Sequence, residues 1–203
     1  VRRGIVRDAG AGATLEGAVE LASFRTHIDT ALLLCNKESD NSAADHLLKA
    51  LGAEVEDDGS FAGGGRAVER FLRDTVGTRV DDLAIADGSG LARSNRITAR
   101  LMVDTLVAMN GAKPAVRDLF LRTLAVGGED GSLNQRLEEE PYAGSVRAKS
   151  GFIQHVSALS GYVVARSGRV LAFSILFNDT PQYVNSQLKA AQDDICRSLI
   201  DRY

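Results

Sequence analysis

No stretch of this sequence stays apolar for the roughly 20 residues that a bilayer-spanning helix requires. Positive charge is not in excess either. Lys and Arg number 24 against 27 Asp and Glu, a formal net charge of −3, and no basic stripe carries interleaved aromatics. A nucleic-acid partner, which calls for a basic face, is therefore excluded. Two cysteines, Cys35 and Cys196, are too few for a disulfide scaffold. Each lies in an apolar helical pattern and reads as a buried thiol, with a single disulfide between them left open. The three histidines, His27, His46 and His155, lack the spacing of metal ligands, so neither a metal nor another cofactor is expected. Gly63-Gly64-Gly65 and Gly127-Gly128 lack the Gly-Lys-Ser/Thr ending of a phosphate loop. There is no internal repeat and no low-complexity tract.

An initiator methionine is also missing. Arg2-Arg3 precede no apolar core of a signal peptide. Val1 is expected to be internal to a longer protein, with any targeting signal upstream. Residues 1–15 are expected to be the tail of an inserted domain or a linker, and 16–203 the C-terminal part of a catalytic domain.

What is present suits a packed core: 44% of residues are hydrophobic and 25% charged, the balance of an ordinary globular domain. Val1 to about Gly12 reads as extended. Ile28 to Leu34 is apolar enough for a buried helix. Ala44, Leu47, Leu48 and Leu51 keep the three-four spacing of one helical face, and Gly52 is placed to follow that helix as its left-handed terminator. A loop through Gly63-Gly64-Gly65 follows, then a helix through Val68, Phe71, Leu72 and Val76 that stops at Gly77. Thr98 is an N-cap candidate for a helix ending near Gly111. Pro114 opens another, and residues 127–132 form a loop. Beyond Pro141 the pattern changes. Ser145–Gly151, Ala158–Ala165 and Val170–Phe177 read as three antiparallel strands, with Ser167-Gly168 as a hairpin turn. A last helix spans Val184 to Ile200. Helices, a three-strand meander and a terminal helix make an α+β fold rather than alternating βαβ units.

Two short motifs stand out only in combination. Ser39-Asp40-Asn41 alone is an N-cap, since all three side chains can accept from free helical N–H groups. Lys149-Ser150-Gly151 alone is a gatekeeping lysine beside a strand irregularity. In this order, one at a helix start and one on the first strand of a meander, they match two elements of the Ser-x-x-Lys, Ser-Asp-Asn, Lys-Thr-Gly set of penicillin-binding proteins and class A β-lactamases. Ser150 in place of Thr keeps the hydroxyl.

The flanking blocks extend the match. Asn36-Lys37-Glu38 before Ser39, Ala43-Ala44-Asp45-His46-Leu47-Leu48 after Asn41, residues 87–96, residues 127–133, and Ala148 through Gly161-Tyr162 run in one order. From about Gly4 to the last helix the chain resembles the low-molecular-mass, class C D-Ala-D-Ala carboxypeptidase/endopeptidase family of penicillin-binding proteins. The resemblance implies the fold shared by β-lactamases and DD-peptidases. It implies peptidoglycan stem peptides and β-lactam antibiotics as ligands and a location in the periplasm or extracytoplasmic envelope.

It also implies roles. Ser39 would sit in the proton path to the leaving amine, and Asn41 would bind the substrate backbone. Lys149 would keep the cleft positive and, with Ser150, hold the terminal carboxylate. Gly151 would leave room for the substrate, which would add to the strand as a further strand. The Phe152 N–H would be one of two oxyanion donors.

The family's nucleophile is a serine followed three residues later by lysine, so that both share a helix face. Only Ser186-Gln187-Leu188-Lys189 has that spacing here. It follows Lys149 instead of preceding Ser39, and Ser186 is placed as the N-cap of the last helix. The nucleophile is therefore expected in the missing N-terminal half of the same protein, and the isolated chain is expected to form no acyl-enzyme. A β-lactamase or esterase on the same scaffold and a non-catalytic envelope binding protein are the competing readings.

Overall fold

The computed structural model describes residues 26–182 and 184–203. The expected extended stretch at Val1–Gly12 and the boundary at residue 15 lie outside them. In chain order the elements are α1 (Ile28–Asn36), α2 (Asn41–Glu56), α3 (Phe61–Phe71), α4 (Ala99–Asn110), α5 (Pro114–Thr123), β1 (Ala125–Val126), β2 (Val146–Ile153), β3 (Val156–Val164), β4 (Val170–Phe177) and α6 (Asn185–Arg202). A π-helical turn, Leu72–Val76, extends α3, and a short 3-10 turn, Gly131–Leu133, lies between β1 and β2. The fold is α+β.

The four strands form one antiparallel sheet in the order β1-β2-β3-β4. Strand β3 is central, and its alternating side chains serve two layers. Leu159 and Val163 join Val146, Leu133, Cys196 and Ile200 in a core between sheet and α6. Tyr162 points the other way, into a cluster with Leu106 and Leu124, and its hydroxyl donates to the Leu106 carbonyl at 2.6 Å. Each aliphatic side chain buried in these layers contributes about 1.5–3 kcal/mol.

Local chemistry sets several boundaries as expected. Thr98 caps α4 by accepting from the Leu101 N–H. Pro114 occupies the first turn of α5, where its missing N–H costs nothing.

Four expectations fail. Gly52 does not end α2, which runs on to Glu56. Gly63-Gly64-Gly65 is not a loop but lies inside α3, capped by Ser60. Both have one cause: α2 and α3 cross so closely that a Cβ on Gly52 would sit 2.4 Å from the Gly64 nitrogen. Close approach of two backbones, not helix termination, demands glycine here. Third, α1 has no fully buried residue. Ile28, Leu33 and Leu34 are exposed among the described residues, because α2 and α5 cover only part of its surface. Fourth, Ser186 is not the cap of α6. Val184 holds that position with no side-chain cap, and Ser186 lies in the first turn.

The cysteines are free thiols, Cys196 buried and Cys35 half-buried. Burial pushes the Cys196 thiol up to about 12. No described helix is long and apolar enough to cross a membrane.

Candidate active site

The Ser39-Asp40-Asn41 triplet divides its labour. Asp40 alone is the N-cap of α2, its carboxylate accepting from the Ala43 N–H at 2.7 Å. Ser39 is thereby free of capping, and its backbone is held at φ 56°. A non-glycine residue in this left-handed region carries about 1–2 kcal/mol of strain, which persists only where the surroundings impose it. Asn41 opens α2 from an exposed position.

Across from Ser39 stands β2. Lys149 Nζ donates to Ser39 Oγ at 2.6 Å and to the Ser150 carbonyl oxygen at 2.7 Å. Two motifs separated by 110 residues are thus joined by one hydrogen bond. Burial pulls the Lys149 ammonium below its ordinary pKa, a shift that the nearby Cys35 thiol partly opposes. Lys149 is therefore a half-buried cation held by two oxygens.

Successive strand residues leave opposite faces. Lys149 turns to Ser39 on the helical side. Ser150 turns the other way and donates its hydroxyl to Ser132 Oγ at 2.7 Å. Between them runs the edge of β2. Strand β1 pairs only with Arg147 and Ala148, so from Lys149 to Ile153 that edge has no strand partner among the described residues. Gly151 and Phe152 on it are exposed, Phe152 at 58%. A Cβ at Gly151 would meet only Ala158 Cβ, at an ordinary 3.5 Å. Nothing inside the described fold excludes a side chain there.

Residues 7–199 match the D-Ala-D-Ala carboxypeptidase 3 (S13) family. The chain belongs to that family. It is similar to a D-alanyl-D-alanine carboxypeptidase of an Actinomadura species, 38% identical over 147 residues, covering 70% of this chain and 27% of the relative. Among solved structures it resembles penicillin binding protein 4 of Haemophilus influenzae in complex with a β-lactam. The TM-score is 0.76 at 26% identity, with 85% of this chain and 41% of that one covered. An extended-spectrum β-lactamase shares the fold at a TM-score of 0.66 and 18% identity, over 87% of this chain and 64% of that one. The chain spans between 27% and 32% of the length of the first curated relatives it matches.

Within this S13 chain the structure brings Ser39, Lys149 and Ser150 together, with Gly151 and Phe152 on the adjoining open edge. The sequence reading missed Ser132, which belongs to the matched block at residues 127–133. It also missed the struts beneath the site. Lys37, just after α1, pairs with Asp130. The Asp130 carboxylate also accepts from the Val126 N–H at 2.9 Å. Burial raises the Asp130 pKa, but Lys37 and that N–H outweigh it and hold the carboxyl below its usual range. Asn36 donates to Thr123 Oγ1 at 2.8 Å. These bonds tie the α1 end to the β1 region and fix the position from which Ser39 faces Lys149.

Ser186 and Lys189 are exposed on α6, and the Lys189 carbonyl accepts from Arg136. A groove of about 510 Å³ lies between residues 77–83 and 98–104. None of the candidate site residues lines it. Its arginines bind their neighbours, Arg79 to Asp81 and Arg100 to Asp104.

Proposed function

We propose that this chain is the part of a serine-type D-Ala-D-Ala carboxypeptidase that binds the carboxylate end of the substrate and carries its proton path, with DD-endopeptidase action as a second use of the same site. The observation that carries this is the half-buried Lys149 ammonium bonded to the hydroxyl of Ser39, whose backbone is held left-handed, beside a strand edge with no strand partner among the described residues.

In this reading a stem peptide of peptidoglycan lies antiparallel to β2 and fills the strand's vacant hydrogen-bond partners. Its terminal carboxylate meets Lys149 and the Ser150 hydroxyl, a charge-assisted pair of contacts. Asn41, exposed at the start of α2, binds the peptide's own amide. The scissile carbonyl then comes to the Phe152 N–H, which stabilises the oxyanion as the tetrahedral intermediate forms. Ser39 accepts a hydrogen bond from Lys149, and its own hydroxyl relays to the departing amine the proton that the attacking serine gives up to the lysine of its Ser-x-x-Lys pair, so Ser39 ends as it began while Lys149 keeps the path positive.

In this reading the attacking serine belongs to a Ser-x-x-Lys segment outside the 203 residues, which span between 27% and 32% of the length of the curated relatives. β-Lactam antibiotics enter the same site because they present a carboxylate and a reactive carbonyl together. The setting is the periplasm or extracytoplasmic envelope, where peptidoglycan lies.

Labelling with a fluorescent penicillin, followed on denaturing gels, tests this reading. A polypeptide joining this chain to its Ser-x-x-Lys segment is expected to label, and the Lys149→Ala form to lose most of the label. The 203-residue chain alone is expected to remain dark. A dark wild-type long polypeptide would refute the assignment, and labelling of the short chain would refute the division of labour.

A further inference from the structure

Ser132 has no role in the mechanism above, yet it is bonded to the residue that meets the carboxylate. We propose that Ser132 is a positioning residue that sets the direction of the Ser150 hydroxyl and so tunes the site for a free terminal carboxylate over a neutral end. The proposal rests on the reading of Lys149 and Ser150 as a carboxylate clamp.

A lone serine hydroxyl on an open strand edge rotates freely and must be ordered when a ligand arrives. Here the Ser150 proton already points at Ser132 Oγ, 2.7 Å away. Ser132 is exposed, but its backbone is fixed from both sides. Gly131, just before it, has φ 54°, and a Cβ there would lie 2.9 Å from both Ala125 Cβ and the Lys37 carbonyl oxygen. Asp130 is held by Lys37 and by the Val126 N–H. Leu133, just after it, is fully buried in the core. Arg136 then anchors the segment to α6 through Asp193. An exposed hydroxyl is thus presented to Ser150 from a turn braced on both sides.

The chemistry follows from the inventory of a hydroxyl, one donor and two acceptor sites. Without ligand, Ser150 gives its proton to Ser132. When a carboxylate oxygen arrives, the Ser150 proton turns to it. The Ser150 lone pair that this exposes is filled by the Ser132 proton. Ser132 to Ser150 to carboxylate is then a chain of hydrogen bonds in one direction, each polarising the next. The gain is largest when the final acceptor is an anion. A neutral amide end draws less from the same chain.

The test compares binding of N-acetyl-D-Ala-D-Ala and of its C-terminal amide to the 203-residue chain, by amide chemical-shift titration. The wild type is expected to favour the free carboxylate. In Ser132→Ala that preference should shrink about two- to tenfold, with the melting temperature unchanged, and Ser132→Thr should restore it. Ser132→Cys, close in shape but a poor hydrogen-bonding partner, should repeat the alanine result and serves if that variant folds badly. A clear wild-type preference that survives in both Ser132→Ala and Ser132→Cys overturns the role of Ser132 and leaves the clamp standing. A wild type without preference overturns the clamp reading, and the role of Ser132 with it.

Discussion

Ser39 Oγ accepts a hydrogen bond from Lys149 Nζ at 2.6 Å while Ser39 itself holds a left-handed backbone at φ 56°. The neighbouring Asp40 has taken over the capping of α2. Ser39 therefore gives the fold neither a cap nor a favourable backbone. Its identity is explained by what the hydroxyl faces.

Substitution by glycine separates the two quantities. Glycine adopts positive φ without the Cβ clash, so Ser39→Gly relieves about 1–2 kcal/mol of local strain. The same change deletes the hydroxyl that Lys149 holds. Thermal unfolding is expected to show a chain as stable as the wild type or slightly more so. Penicillin labelling of the long polypeptide is expected to fall by at least tenfold. A variant that labels normally removes Ser39 from the proton path.

Gly151 leads to a similar contrast. Within a strand, glycine is a poor choice, costing roughly 0.5–1 kcal/mol relative to alanine. No internal contact closer than 3.5 Å requires it. Gly151→Ala is expected to fold at least as well as the wild type and to bind N-acetyl-D-Ala-D-Ala more weakly, because the new methyl group occupies the edge along which the peptide lies. Unchanged affinity with raised stability would show that the peptide does not use this edge.

The motifs were legible in the sequence because their order and flanks carry information that the side chains alone do not. The helix and strand types followed from periodicity, and Thr98 and Pro114 from cap chemistry. Gly52 was misread as a helix terminator and Gly64 as part of a loop, because glycine commonly marks both and only the tertiary contact reveals that the two line a helix crossing. Strand β1 has two residues, too few to leave an alternating pattern. Ser132 and Ser150 are 18 residues apart on different elements. Nothing in their spacing announces a hydrogen bond, although residues 127–133 already matched the family as a block.

The segment carrying Ser132 depends on a buried polar network. Arg136 donates to Asp193 through two nitrogens, at 2.6 and 3.0 Å, and to Gln192 Oε1 at 3.1 Å. Gln192 donates onward to Ser157 at 3.1 Å. Arg136 and Asp193 are each only 9% exposed. Removing one member leaves the other charge buried and unpaired, which costs about 3–5 kcal/mol. Asp193→Ala is expected to lose that much in denaturant unfolding. The double variant Arg136→Met, Asp193→Leu is expected to recover a large part, since two apolar side chains leave no orphaned charge. A loss below about 1 kcal/mol in the single variant would mean that the network is not dry.

Carboxylate binding should also report the state of Lys149. Burial disfavours its ammonium, so the folded chain releases this proton below the ordinary 10.5. Between the folded and unfolded pKa values the unfolded chain holds more protons. Stability from this group therefore rises with pH through that window. Ligand binding runs the opposite way. The carboxylate needs the ammonium, so affinity is steady near neutrality and declines on the alkaline side at a pH below 10.5. Cys35 is the other group to separate. Burial raises its thiol, Lys149 lowers it and Asp40 raises it, for a net upward shift, so it deprotonates in the alkaline range as well. Titration of N-acetyl-D-Ala-D-Ala affinity from about pH 7 to 11 is expected to show the decline in the wild type and in Cys35→Ser alike. Lys149→Met should bind weakly at every pH with no decline. A decline that disappears in Cys35→Ser would assign it to the thiol, and one centred at or above 10.5 would mean that the ammonium is solvated after all.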